Sequence, residues 1–146
     1  MKALMRVFIF AIMTLLFGPV EAQNADPLVV VVHKDNPVEQ LSRSELIDLF
    51  MGKYVAFPDD SKAIPVELEG DHAIKVAFYG KLVGMSLSRV NAYWSRLRFT
   101  GRKRAAVFQP DEIELVDYII TNKQAIGYIP QSLITKNLKV VYILNE

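Results

Sequence analysis

The stretch PLVVVVHKDNPVEQLSRSELIDLFMGK, Pro27 to Lys53, sets a buried strand, a sharp turn and a well-signalled helix in immediate succession, and it limits what the rest of the chain can become. Leu28 to Val32 is an unbroken, mostly β-branched run, which suits a strand covered on both faces, as in a largely parallel sheet flanked by helices. His33, Lys34, Asp35, Asn36 and Pro37 end it, because Pro37 offers no amide hydrogen and pushes Asn36 away from helical torsions. Ser42 and Glu45 form an S-x-x-E capping box, which predicts a helix beginning near Arg43. Leu46, Ile47, Leu49 and Phe50 give that helix an apolar face, and Gly52 is placed to close it in the left-handed conformation. A strand feeding a helix in this way reads as the first half of a βαβ unit.

Residues 1 to 22 read as an address rather than as part of the fold. Lys2 and Arg6 make a basic start, Val7 to Phe17 is an apolar run, and Gly18 to Ala22 ends it with small residues. This is the pattern of a secretory signal peptide cleaved after Ala22, and the run is short of the roughly 20 residues a membrane-spanning helix needs. Residues 23 to 146 then form one α/β domain. In it the 17 Lys and Arg fall to 15, losing Lys2 and Arg6, and the 16 Asp and Glu fall to 15, losing Glu21. A neutral domain has no general pull toward nucleic acid or anionic lipid. The chain contains no cysteine, which excludes a disulfide framework, Cys-zinc sites and thiol catalysis. Export without cysteine fits a bacterial periplasm.

Beyond the first helix, Tyr54 to Lys62 reads as a loop and Ala63 to Leu68 as a second strand. Glu69, Gly70 and Asp71 make a tight junction into a helix from about His72 to Leu82, closed by Gly84. Ser86 or Ser88 caps a third helix, in which Val90, Tyr93, Trp94 and Leu97 have core spacing, so Trp94 reads as a packing anchor. Pro110 and Asp111 open a fourth helix with Ile113, Val116, Ile119 and Ile120 on its buried side and Asn122 as its cap. AIGYI, Ala125 to Ile129, is a short strand in which Gly127 suggests close approach of another backbone. Pro130 to Lys136 is a turn or short helix, and Leu138 to Leu144 is the last strand. The order β, α, β, α, α, α, β, β argues for one sheet covered by helices, with the last two strands free to run antiparallel to the others.

In open sheets of this kind ligands bind beyond the carboxyl ends of the strands, where helix N-termini present unpaired amides. Two junctions qualify, His33 to Asn36 and Glu69 to Ala73. The second is the better anion site: Gly70 permits a tight turn, the amides of the helix's first turn remain unpaired, and Lys75, within the first turn or so, adds a positive charge. Glu69 and Asp71 work against an anion unless Asp71 is spent as the helix cap. His33 and His72 could share one edge of the sheet, but with Asp35, Glu69 and Asp71 as the nearby carboxylates they show no tight metal-ligand spacing, and surface histidines beside turns are the simpler reading. Arg89, Arg96, Arg98, Arg102, Lys103 and Arg104 form a basic run uninterrupted by acids. It reads as a solvated face answered by Asp111, Glu112, Glu114 and Asp117, or else as a patch for an anionic partner. There is no nucleophile elbow, HExxH, phosphate loop or Ser-His-Asp grouping, so neither an enzyme nor a bound cofactor is expected.

The segment VVVVHKDNPVEQLSRSELIDLFMGK resembles the stretch of the phosphate ABC transporter substrate-binding proteins that runs roughly V-V-x-x-x-N-P-V-x-x-L-[ST]-x-x-x-L-x-x-I-F-x-G-K. The junction before Phe78, the Tyr93 and Trp94 pair followed by Phe99, Thr100 and Gly101, and AIGYI are similar, in the same order, to short single-lobe members of that family. The resemblance implies a single lobe like one domain of a type II periplasmic binding protein, with a mixed, mostly parallel sheet. The family's phosphate loop, R-x-x-G-S-G-T-[RK], falls on Leu68 to Lys75. There Leu68 stands in place of Arg, Asp71, His72, Ala73 and Ile74 replace G-S-G-T, and Lys75 alone keeps its charge. The resemblance implies a periplasmic solute-binding-like protein of the phosphate or oxyanion importer class, with an ABC permease or other envelope protein as partner and Gly70, Asp71, His72, Ala73 and Lys75 at the ligand. A second copy of the chain, or a partner, would supply the missing wall. The missing Arg and hydroxyls keep open a protein-interaction or sensory accessory module that has lost its ligand.

Overall fold

The computed structural model describes residues 26–145; the signal peptide expected at residues 1 to 22 lies outside the described residues. The elements are β1 (Leu28–His33), α1 (Arg43–Phe50), β2 (Ile64–Leu68), α2 (Ala73–Val83), α3 (Leu87–Phe99), β3 (Val107–Gln109), α4 (Glu112–Thr121), β4 (Ala125–Pro130), a 3₁₀ turn (Gln131–Leu133) and β5 (Leu138–Leu144). They build a single α/β lobe with a mixed five-stranded sheet in the order β3-β2-β4-β1-β5.

The opening stretch folds locally as its chemistry dictates. All of β1 is buried. Ser42 Oγ accepts from the Glu45 amide at 3.2 Å while Glu45 Oε2 accepts from the Ser42 amide at 2.7 Å, so both halves of the capping box form. Gly52 follows the end of α1 at φ +71°. The strand's surroundings differ from expectation. β1 is antiparallel to β4 on one side and to β5 on the other, while β2 is parallel to both β3 and β4. The reversed strand is therefore β1 rather than the last two, and β1 with α1 is not the first half of a βαβ unit. Burial on both faces produces an unbroken apolar run whichever way the neighbours point, so the run is silent on direction.

Helices cover both faces. Tyr128 of β4 stacks on Phe78 of α2 at 3.9 Å between ring centroids and meets Phe50 of α1 edge-on at 6.0 Å. The next residue inward, Gly127, turns to the other face, where Leu115 and Ile119 of α4 sit so close that a Cβ there would lie 2.8 Å from Ile119 Cδ1. The close approach at Gly127 is thus mainly to helix side chains, with the Val66 carbonyl behind them. α3 packs outside α2 and joins the end of α1 through Tyr93, whose hydroxyl donates to Met51 O at 2.8 Å. Trp94 is buried, as its spacing predicts. In α4 the buried side is Leu115, Val116 and Ile119, and Ile113 is exposed, one turn too early to reach the sheet.

Candidate functional site

Because β2, β3, β4 and β5 share a direction, the junctions that follow β2, β3 and β4 meet at one edge of the sheet, and the start of β1 lies there too. His33, at the far end of β1, lies at the opposite edge. It cannot share a site with His72, and its Nδ1 instead accepts from the Asp35 amide at 3.0 Å. Among the described residues, no group of three or more His, Asp or Glu is placed to hold a metal ion. None of the described helices is long and apolar enough to cross a membrane.

At the carboxyl edge the β2-to-α2 turn is made by Gly70 at φ +61°, a conformation glycine adopts without cost. His72, not Asp71, is the N-cap of α2, and no side chain caps the helix. The first-turn amides of Ala73, Ile74 and Lys75 accordingly have no partner among the described residues, whereas the Val76 amide already bonds to His72 O at 3.0 Å. A cleft of about 460 Å³ opens beside this end, with Ala73, Ile74 and Ala77 on one wall and Leu28 and Leu133 on another. Its charged rim is mixed: Lys81 is matched by Asp26 and Glu112, and Glu112 Oε1 stands 4.0 Å from His72 Nδ1. Lys75 turns away from the cleft. It is 4 % exposed, and its Nζ donates to Leu68 O at 2.9 Å and lies 5.3 Å from the centre of the Phe108 ring. Burial lowers its pKa, with Glu67 pulling the other way.

Between β2 and α2 lies a polar cluster that was not among the sites expected from the sequence. Glu67, the last residue but one of β2 and fully buried, accepts from Tyr79 Oη and from Arg104 Nη2, and Arg104 Nη2 also reaches Tyr79 Oη at 2.9 Å. The Arg104 guanidinium lies 4.6 Å from the Trp94 ring centre and 5.1 Å from that of Phe108. Desolvation pushes the Glu67 carboxyl pKa up, against the opposing pull of Arg104 and the Tyr79 hydroxyl; burial likewise holds the Tyr79 hydroxyl well above the ordinary phenol range. A charged residue inside a short strand was the available signal, since Glu almost never buries alone.

The basic run is not answered by α4 as expected. Among the described residues Arg104 is its one member in an ion pair, and the partner is Glu67. Asp111 is occupied as the N-cap of α4, accepting from the Glu114 amide at 2.9 Å, and Glu112 faces His72.

No protein-family model matches the chain, and no curated protein matches it. Solved structures share its fold. One, from Clostridium perfringens, is described as a phosphate ABC transporter substrate-binding protein with bound phosphate; it superposes with a TM-score of 0.65 at 20% identity, covering 80% of this chain and 44% of the other. An ABC-type phosphate transport receptor from Vibrio cholerae gives 0.64 at 21% identity, with 80% and 45% covered. PstS from Borrelia burgdorferi gives 0.61 at 12% identity, with 80% and 46% covered. The chain spans less than half the length of each.

Proposed function

We propose that this chain is a one-lobed solute-binding protein of the periplasm, exported by its N-terminal segment, which presents the start of α2 to a small oxyanion such as phosphate. The observation that carries this reading is the set of uncapped amides at Ala73, Ile74 and Lys75, standing at the carboxyl edge of the sheet beside an open cleft. The fold it shares with proteins described as phosphate receptors supports the assignment. Gly70 shapes the turn, Asp71 and His72 border it, and Lys75 contributes positive charge from behind rather than as a direct ligand. A single lobe leaves half of such a ligand open to water, so a second copy of the chain, an ABC permease or another envelope protein would complete the site. Calorimetric titration with phosphate and sulfate tests this: saturable heat is expected, and a folded protein that gives none at millimolar anion removes the reading.

A second reading is favoured by the inward turn of Lys75 and by Asp26 and Glu112 on the cleft rim. In it the lobe has lost its ligand and serves as a protein-interaction or sensory accessory module. Cross-linking in intact cells should then capture an envelope protein, and failure to capture any partner defeats it.

A further inference from the structure

Away from the α2 junction, a second groove of about 440 Å³ lies between α3 and β3, lined by Trp94, Arg98, Arg102, Lys103, Arg104 and Phe108. Four of these six side chains are cationic. The buried Glu67 balances Arg104, and no carboxylate among the described residues pairs with Arg98, Arg102 or Lys103. The groove therefore holds three uncompensated positive charges at close quarters, in a chain whose formal net charge is only +1. Like charges crowded against apolar walls repel, and an anion of matching charge relieves that repulsion.

The back of the groove is organised. Glu67 and Tyr79 fix Arg104 Nη2, and the Trp94 and Phe108 rings hold the plane of the guanidinium. Its Nη1 makes no hydrogen bond among the described residues and is not sealed from solvent, so that nitrogen is the one left to a ligand. A guanidinium fixed in this way loses little freedom when it binds. Two further donors at the same place, Nε of Arg104 and Nε1 of Trp94, are buried without an acceptor among the described residues, in keeping with the 6 % exposure of Trp94 as a whole. Unmet donors of this kind are costly, and they leave positive potential at the back of the groove that an anion at Nη1 would offset. Phe108 adds an apolar wall, which a bare inorganic ion does not use.

We propose that the groove between α3 and β3 is a binding site for a small organic anion carrying two or more negative charges, such as a phosphate monoester or a polycarboxylate. The site shares no residue with the α2 junction and does not depend on that reading.

Trp94 is the chain's one tryptophan, so its emission reports on this groove directly. The full chain is titrated with phenyl phosphate and with citrate, with inorganic phosphate as the comparison. At least one organic probe should change Trp94 emission saturably at concentrations where inorganic phosphate does not. The exposed pair Arg102→Ala/Lys103→Ala should weaken that response by more than about tenfold, and Arg102→Lys/Lys103→Arg should restore most of it. No saturable change with either organic probe, a response to inorganic phosphate alone, or an alanine double variant that titrates like the parent overturns the proposal. Heat from inorganic phosphate that is equal in the parent and the alanine variant, with no change in Trp94 emission, belongs to the α2 junction, so the two readings fail separately.

Discussion

At the scale of single residues, the Glu67 and Arg104 pair is the most exacting feature of the molecule. Removing one member of a buried pair strands the other charge, so Arg104→Met should cost about 3 to 5 kcal/mol in urea unfolding. Glu67→Gln/Arg104→Met should recover most of that loss, since the uncompensated charge is gone while Tyr79 keeps an acceptor. If the double variant is as weak as the single one, the cost lies in lost packing over Trp94 rather than in stranded charge. The pair also sets a pH dependence. Burial raises the Glu67 pKa above its ordinary 4.5, so the folded chain keeps a proton that the unfolded chain has already released. The stability this group contributes is complete below that ordinary value and is lost as pH rises through the folded one. Glu67→Gln should flatten this part of a stability profile measured by urea unfolding across the acidic range. Of the residues singled out in the sequence, Gly70 makes the turn at positive φ and Ala73 opens α2, whereas Lys75 Nζ points inward. Helical spacing placed it near the first turn but could not show that its stem would fold back to Leu68 O.

Elements were legible where a local interaction defines them. The capping box marked the start of α1, Ser86 or Ser88 that of α3, where Ser86 is the cap, and Pro110 with Asp111 that of α4, where Asp111 is the cap, because each depends on side chains within three residues of the amides they satisfy. β3 was not legible. It is three residues long and only partly buried, and it exists because β2 offers it a parallel edge, which no local pattern records. Gly52 shows how an element boundary becomes a packing constraint. It and Gly70 both sit at positive φ, so an alanine at either meets a similar backbone penalty of about 1 to 2 kcal/mol. They differ in their neighbours: a Cβ at Gly52 would lie 2.5 Å from Trp94 Cη2, while nothing lies within 4 Å at Gly70. Gly52→Ala should therefore exceed Gly70→Ala in cost by about 1 to 3 kcal/mol, with a changed Trp94 emission spectrum in the first variant alone. Equal costs and unchanged spectra would mean that α3 slides off α1 without resistance.

For the whole molecule, the decisive fact is that the first described strand lies between the last elements of the chain. β1 pairs with β4 over Leu28 to Val32 and with β5 over Leu28 to His33, and among the described residues no strand from the middle of the sequence pairs with it. This arrangement was beyond a sequence reading, which can order strands along the chain but not across a sheet. It also has a consequence for folding. The buried run Leu28 to Val32 must stay unpaired until the end of the chain arrives, and pairings so distant in sequence are slow to form. β5 supplies one whole edge of β1, together with the buried Leu138, Val141 and Leu144, and Val141 O also accepts from the Leu41 amide at 3.0 Å, tying down the approach to α1. Deleting residues 137–146 should thus remove far more than a peripheral strand: it leaves an apolar β-branched edge open, which invites pairing with other chains. The expected outcome is loss of cooperative urea unfolding followed by both circular dichroism and Trp94 emission, with concentration-dependent aggregation. A truncated chain that stays monomeric and unfolds in one sharp transition would show that β4 alone holds β1 in place, and that the lobe is organised around the β2 and β4 pair instead.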